Sequence, residues 1–164
     1  VEPGQRVVVE DVDLVIEGEG ATDPPFVAIR QDTQLRAGRP LRHADYDATR
    51  NALLRTAANF GYLDAKLTKA ELRVDPAAHT ATATLHLETG ARYRFGATDI
   101  QQDTINEALA RRYLRYHEEQ PFDASELLRT QFALDDSQYF STVEVLPGDP
   151  DRVNHIVPVN IRAE

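Results

Sequence analysis

The sequence predicts an α+β protein made of two consecutive β-α-α-β-β units. Three observations carry that prediction. Residues 80–87 alternate small or apolar with polar side chains, as a half-buried strand does, while 45–60 carry an amphipathic helical pattern. The same order of elements then recurs in the second half of the chain. Between the halves lies Gly90-Ala91-Arg92-Tyr93-Arg94-Phe95-Gly96, an aromatic strand start flanked by glycines, which suits a joint between modules.

In chain order, residues 6–16 are β-branched, partly alternating, and end at Gly18-Glu19-Gly20, so they read as a strand. Asp23 is placed to cap a short helix with Pro24 in its first turn, carrying Phe26, Val27 and Ile29. Gly38 and Pro40 punctuate a loop. From Asp45 to Phe60, the residues Tyr46, Leu53, Ala57 and Phe60 fall on one helical face, and Gly61 is the expected C-terminal cap. A strand over 62–74, a turn at Asp75-Pro76-Ala77-Ala78 and the strand over 80–87 complete the first unit, residues 1–89.

The second unit, residues 90–164, begins with a strand over 93–100. A helix over 104–116 follows, with Thr104 and Glu107 at capping-box spacing, then the loop Gln120-Pro121-Phe122. Asp123 and Glu126 give a similar start to a helix ending near Ser137, and strands over 139–146 and 153–161 flank Pro147-Gly148-Asp149-Pro150. Pro40 and Pro121 are 81 residues apart and Tyr62 and Tyr139 are 77 apart, so the copies differ mainly by a slightly shorter second helix. Each unit is expected to be a three-stranded mixed sheet with two helices on one face, near the lower size for independent folding. At least one strand edge per unit must then stay unpaired, and an open edge can accept a strand from a partner.

Composition narrows the function classes. At 164 residues and 41% apolar content the chain can form ordered cores. Basic residues number 10 against 14 acidic in 1–89, and 8 against 13 in 90–164, giving a net charge of -9. Without clustered Lys and Arg, binding to nucleic acid or to an anionic membrane surface is not expected. There is no cysteine, no apolar run of membrane-spanning length and no signal-peptide pattern. The chain starts at Val1, as a processed protein or an excised piece would.

An enzyme is not expected. His43, His79, His86, His117 and His155 show no ligand spacing, so neither a metal nor another cofactor is implied. The pairs Asp135-Asp136 and Glu118-Glu119 read as solvated charge, and Ser125, Ser137 and Ser141 lack a nucleophile motif. No small-molecule substrate is indicated.

The β-α-α-β-β repeat, the Gly90-x-x-Tyr93-x-Phe95-Gly96 joint, the exit Phe60-Gly61-Tyr62-Leu63-Asp64-Ala65 and the run Ser137-Gln138-Tyr139-Phe140-Ser141-Thr142-Val143 resemble POTRA domains. These are the periplasmic modules of Omp85-superfamily outer-membrane assembly proteins. The likeness is greatest to the second and third modules of the TamA branch, and the ending Val157-Pro158-Val159-Asn160-Ile161 resembles the last strand before the barrel. Two departures stand out: Gly38 is matched by Glu118-Glu119-Gln120 in the second copy, and a Ser-Gly-Tyr-Phe exit by Ser137-Gln138-Tyr139-Phe140.

The resemblance implies a non-catalytic periplasmic docking arm of a Gram-negative outer-membrane protein, serving outer-membrane protein or autotransporter assembly. Its partners would be a TamB-like inner-membrane-anchored protein, unfolded outer-membrane or autotransporter clients, and a C-terminal β-barrel of its own. Alternatives are the POTRA arm of a two-partner secretion transporter or of a BamA-type insertase, and a cell-division POTRA scaffold. POTRA sheets place the third strand in the middle, so the second strand is the expected binding edge. That edge comprises Leu63, Ala65, Lys66, Leu67 and Lys69 in the first copy, and Phe140, Val143 and Val145 in the second. Lys66 and Lys69 suit edge protection equally well. Gly90, Tyr93, Phe95 and Gly96 form the expected inter-module joint, with both aromatics in packing roles.

Overall fold

In the computed structural model, which describes residues 6–164, the first five elements are β1 (Val8–Glu17), α1 (Pro24–Asp32), α2 (His43–Asn59), β2 (Lys66–Asp75) and β3 (Thr80–Glu88). The next five are β4 (Arg94–Gln101), α3 (Glu107–Arg111), α4 (Ala124–Asp136), β5 (Val143–Pro147) and β6 (Ile156–Ala163). By its contacts the chain divides into two compact units. The first holds residues up to Ala58 with Tyr62–Ala91, and the second holds Asn59–Gly61 with Arg92–Glu164.

Each unit is an α+β module with a three-stranded mixed sheet, ordered β1-β3-β2 in the first and β4-β6-β5 in the second. The first and last strands pair in parallel, which requires a long crossover, and both helices lie in it. The last two strands pair antiparallel through a short turn. Alternation decides which face of the central strand is covered. In β3, Ala81, Ala83, Leu85 and Leu87 are buried, while Thr80, Thr82, Thr84 and His86 are half-exposed. In β6, Val157, Val159, Ile161 and Ala163 are buried in the same rhythm. Fully burying a side chain such as Leu85 stabilises by about 1.5–3 kcal/mol, so these rows fix the register.

The repeat reaches below the level of elements. Thr49 in α2 and Thr130 in α4 stand 81 residues apart, as Pro40 and Pro121 do. Both threonines are buried, and each hydroxyl donates to the carbonyl four residues earlier, Asp45 and Glu126, at 2.8 Å. Each also ties its helix to the segment after the preceding one. Thr49 shares a 2.6 Å hydroxyl contact with Thr33, and Thr130 accepts from the Arg115 amide at 3.0 Å. The two departures in the second copy sit where the first copy has left-handed glycines. Glu119 has φ 72 where Gly38 has 88, and Gln138 has φ 63 where Gly61 has 83.

Four boundaries differ most from the sequence expectation, and one is the strand over 153–161, which begins at Ile156 because the amides of Val153 and Asn154 fold back onto Asp151 Oδ1 in a turn. The strand over 62–74 begins at Lys66, because Tyr62 turns into the core: its hydroxyl donates to Asp23 Oδ2 at 2.6 Å and its ring packs edge-on against Phe26 at 5.5 Å. Asp23, so engaged, makes no side-chain cap on α1. The helix over 104–116 shrinks to Glu107–Arg111. Gln102 Oε1 accepts from the amides of Thr104 and Ile105, and Asn106 caps the helix by accepting from Ala108, so no Thr104 capping box forms. The strand over 139–146 begins at Val143, since the amides of Ser141 and Thr142 both donate to the Glu164 carbonyl.

Two predictions follow from this packing. A Cβ at Gly61 would lie 2.8 Å from Phe122 Cβ at a φ of +83, so Gly61→Ala should cost about 2–4 kcal/mol in denaturant unfolding. Gly61→Asn, which tolerates that φ, should rescue little of the loss. Burial raises the Tyr116 pKa above 10.0, while its hydrogen bond to Thr98 and the Arg111 charge pull the other way. The folded state therefore holds this proton more tightly, and the associated stability is full below about pH 10 and lost above it. Tyr116→Phe should be less stable by about 1 kcal/mol at pH 8 yet lose less stability than wild type between pH 9 and 11.

Candidate functional site

Because β3 and β6 are central, β1, β2, β4 and β5 each expose one side of their backbone. The loop between the helices closes part of that debt at β1 and β4. In the first unit Val9 N–H donates to the Arg39 carbonyl at 2.8 Å, Gly38 N–H to Val9 at 2.7 Å and Leu41 N–H to Val7 at 2.8 Å. In the second unit Phe95 donates to Gln120 at 2.8 Å, Glu119 to Phe95 at 2.9 Å and Phe122 to Tyr93 at 2.9 Å. Pro40 stands opposite Val8 and Pro121 opposite Arg94, where a residue without an N–H ends further pairing. Sequence comparison of the two copies aligned these loops but did not reveal that they lie along a strand.

Among the described residues, the edges of β2 and β5 receive no such cover from an element of their own unit. In the first unit, Lys66, Leu67 and Lys69 belong to β2, whereas Leu63 and Ala65 lie in the turn before it. A bulge between Leu67 and Lys69 interrupts the β2 ladder, and Glu71 pairs with both Lys69 and Arg73 on the strand. The Arg73 hydrogen bond, helped by the nearby positive charges, lowers the Glu71 pKa. A bulge and charged side chains are features that discourage edge pairing.

In the second unit Val143 and Val145 belong to β5, while Phe140 precedes it and is buried. Thr142 and Glu164 exchange both backbone hydrogen bonds at 3.0 Å, and Gly148 N–H donates to Pro158 at 2.8 Å. Antiparallel pairs alternate between bonded and non-bonded, so Glu144–Arg162 and Leu146–Asn160 are the bonded pairs within β5. The N–H groups of Val143 and Val145 therefore point away from β6, along the free edge. The third position of that row is Pro147, which has none. On the neighbouring α4, Leu128 and Phe132 stand one turn apart and are more than half exposed, and Tyr139 is also exposed.

The expected joint residues are distributed between the two units. Gly90, at φ 67, closes the first. Tyr93 and Phe95 are fully buried in the second, where Phe95 stacks on Tyr116 at 4.3 Å and meets Phe122 at 5.0 Å. Gly96 sits in a β4 bulge, where a Cβ would lie 2.5 Å from Ile156 Cγ2. Sequence reasoning passed over Arg92. Its guanidinium donates to the carbonyls of Phe60 and Phe122 and lies 5.7 Å from the Phe60 ring centre.

Among the described residues no three His, Cys, Asp or Glu side chains converge as metal ligands do, and no helix is long and apolar enough to cross a membrane. His86 contacts Asp13 across the sheet at 2.8 Å, and His155 packs on Tyr93 at 5.1 Å. Asp151, its pKa lowered by hydrogen bonds from Asn154, organises a turn. Each is accounted for by local structure.

No family model matches the chain. Solved structures do resemble it. A BamA from Haemophilus ducreyi lacking POTRA domains 1–3 matches over 96% of this chain and 29% of that one, at 15% identity and TM-score 0.68. POTRA domains 3–5 of Haemophilus influenzae BamA match over 96% of this chain and 61% of theirs, at 20% identity and TM-score 0.59. POTRA domains 1–2 of the periplasmic domain of Omp85 from Anabaena match over 97% and 96%, at 15% identity and TM-score 0.61. The chain thus spans less than a third of the first BamA chain and under two thirds of the second. At these identities the likeness establishes the fold, two tandem POTRA-type modules.

The edge geometry makes a sharp prediction about proline. Val143→Pro removes an outward N–H and should change stability by less than about 1 kcal/mol, whereas Glu144→Pro breaks a ladder bond and should cost at least about 1–2 kcal/mol more. Urea unfolding of the two variants, one residue apart, measures the difference.

Proposed function

We propose that this chain is part of the periplasmic, non-catalytic arm of an Omp85-type outer-membrane protein and holds extended polypeptides at the free edges of β2 and β5. The observation that carries the reading is the asymmetry repeated in both units: the inter-helix loop covers one outer strand, and among the described residues no element of the unit covers the other. A strand laid along β5 would receive hydrogen bonds from Val143 and Val145, with Leu128 and Phe132 of the adjacent helix available for its side chains. The fold shared with the periplasmic domain of an Omp85 protein supports the compartment.

Within that reading, the sequence likeness to the TamA branch proposes a TamB-like inner-membrane-anchored partner, autotransporter or outer-membrane clients and a barrel in the same protein. A second reading, an arm of a BamA-type insertase, draws support from the structural likeness to two BamA proteins. Affinity capture from Gram-negative envelope extract on the immobilised chain separates them. Recovery of a large inner-membrane-anchored protein is expected, and lipoproteins in its place favour the insertase arm. Folded Val143→Pro should weaken capture roughly tenfold, the equivalent of one to two backbone hydrogen bonds. Unchanged capture by that variant removes the β5 edge from the mechanism.

A further inference from the structure

Away from the strand edges, the first unit carries a cleft of about 300 Å³ between α1 and α2. Its walls follow from helical spacing. Ala28, Ile29 and Asp32 share one side of α1, and Asp45, Ala48, Thr49 and Ala52 recur at three- and four-residue steps on α2. Alanines at the approach of the helices leave a hollow where larger side chains would interlock. The polar groups of its floor are used up internally: Leu35 N–H donates to Thr33 Oγ1, Thr33 and Thr49 share a hydrogen bond, and Thr49 donates to the Asp45 carbonyl. What remains for a ligand is apolar surface, two carboxylates and the side chain of Gln34, whose oxygen accepts from the Arg39 guanidinium at 2.5 Å.

Neither the Asp32 nor the Asp45 carboxylate has an ion pair or hydrogen bond among the described residues. The nearby guanidinium of Arg36 turns to the carbonyls of Gln31 and Thr33. Asp32 is the last residue of α1, the end at which a negative charge opposes the helix dipole. Local stability alone does not favour a carboxylate there. The charged residues that line the hollow are both carboxylates, while Arg36 and Arg39 are engaged by the carbonyls of Gln31 and Thr33 and by Gln34, and such a lining is complementary to an apolar side chain flanked by cations.

The geometry points to this cleft as a docking site for a partner polypeptide segment in which one large apolar side chain is flanked by Lys or Arg. The apolar side chain lies against Ala28, Ala48 and Ala52, and the flanking cations approach Asp32 and Asp45. The site is separate from the β2 and β5 edges, so its failure and that of edge binding are read independently.

The test is an NMR titration of the isotope-labelled chain with an acetylated, amidated Ala-Lys-Phe-Lys-Ala peptide. Versions with Glu for Lys and with Ala for Phe serve as controls. Expected are amide shifts concentrated at Ala28, Ala48 and Ala52 with the Lys-Phe-Lys peptide, weakened by salt and absent with both controls. Asp45→Asn and Asp32→Asn should each weaken binding about two- to fivefold, the range of half-exposed charge pairs. Asp32→Asn should also raise the melting temperature, a split that a merely structural carboxylate would not give. Ala48→Leu and Ala28→Leu, both at exposed positions, should fill the cleft and abolish the shifts without loss of helix. Equal binding of the Glu peptide, shifts centred on β2 or β5, or unchanged binding in the folded leucine variants would each overturn the assignment.

Discussion

In each unit the strand made last in sequence is the middle strand in space, and both earlier strands can satisfy their backbone hydrogen bonds on one side only. Buried backbone groups cannot be left unpaired without a cost comparable to a hydrogen bond, so each outer strand must meet solvent, another segment or a partner. The parallel crossover supplies part of the answer. A chain that leaves β1 or β4, builds two helices and returns must pass its own first strand, and it does so with the loop around Pro40 or Pro121 laid against that strand. The remaining outer strand is the hairpin strand, whose connection is too short to cover it.

The same crossover dictates the buried polar chemistry. Two helices packed on one face of a small sheet meet where a hydroxyl can serve both, and Thr49 and Thr130 occupy that position in the two units. A hydroxyl that donates along its own helix and accepts from the preceding segment leaves no orphan group. Among the described residues no buried side-chain nitrogen or oxygen lacks a partner. Thr98 and Tyr116 solve a similar problem with a shared hydroxyl contact at 2.6 Å.

The two open edges are managed differently. β2 is ten residues long and carries a bulge and alternating charge, while β5 is five residues long and ends at Pro147. Length with charge and brevity with proline are alternative ways to limit self-association while leaving backbone donors for a partner. The second unit adds exposed Leu128 and Phe132 on the helix beside its edge. The first places its apolar hollow between the helices, which makes the two modules chemically distinct surfaces on one fold.

Local sequence determined the elements whose signal is periodic. The alternation over 80–87, the helix ending at Gly61, the Pro40–Pro121 correspondence and the β-α-α-β-β order were all legible, because burial on one face imposes a period of two or about 3.6. Where competing local hydrogen bonds or a single inward aromatic overrode the period, sequence misplaced the boundary. Gln102 and Asn106 shortened α3, Tyr62 delayed β2, and the Ser141 and Thr142 bonds to the Glu164 carbonyl delayed β5, so Leu63, Ala65 and Phe140 fell outside the strands expected to contain them. Tyr62 and Tyr139 align by spacing, yet Tyr62 is buried and Tyr139 exposed, with Phe140 taking the inward place. The closing of β1 and β4 by the inter-helix loops, the outward direction of the Val143 and Val145 N–H groups and the hollow at Ala48 came from tertiary structure alone. Each depends on which segments lie side by side after folding, and a one-dimensional pattern records the face of a residue without recording its neighbour.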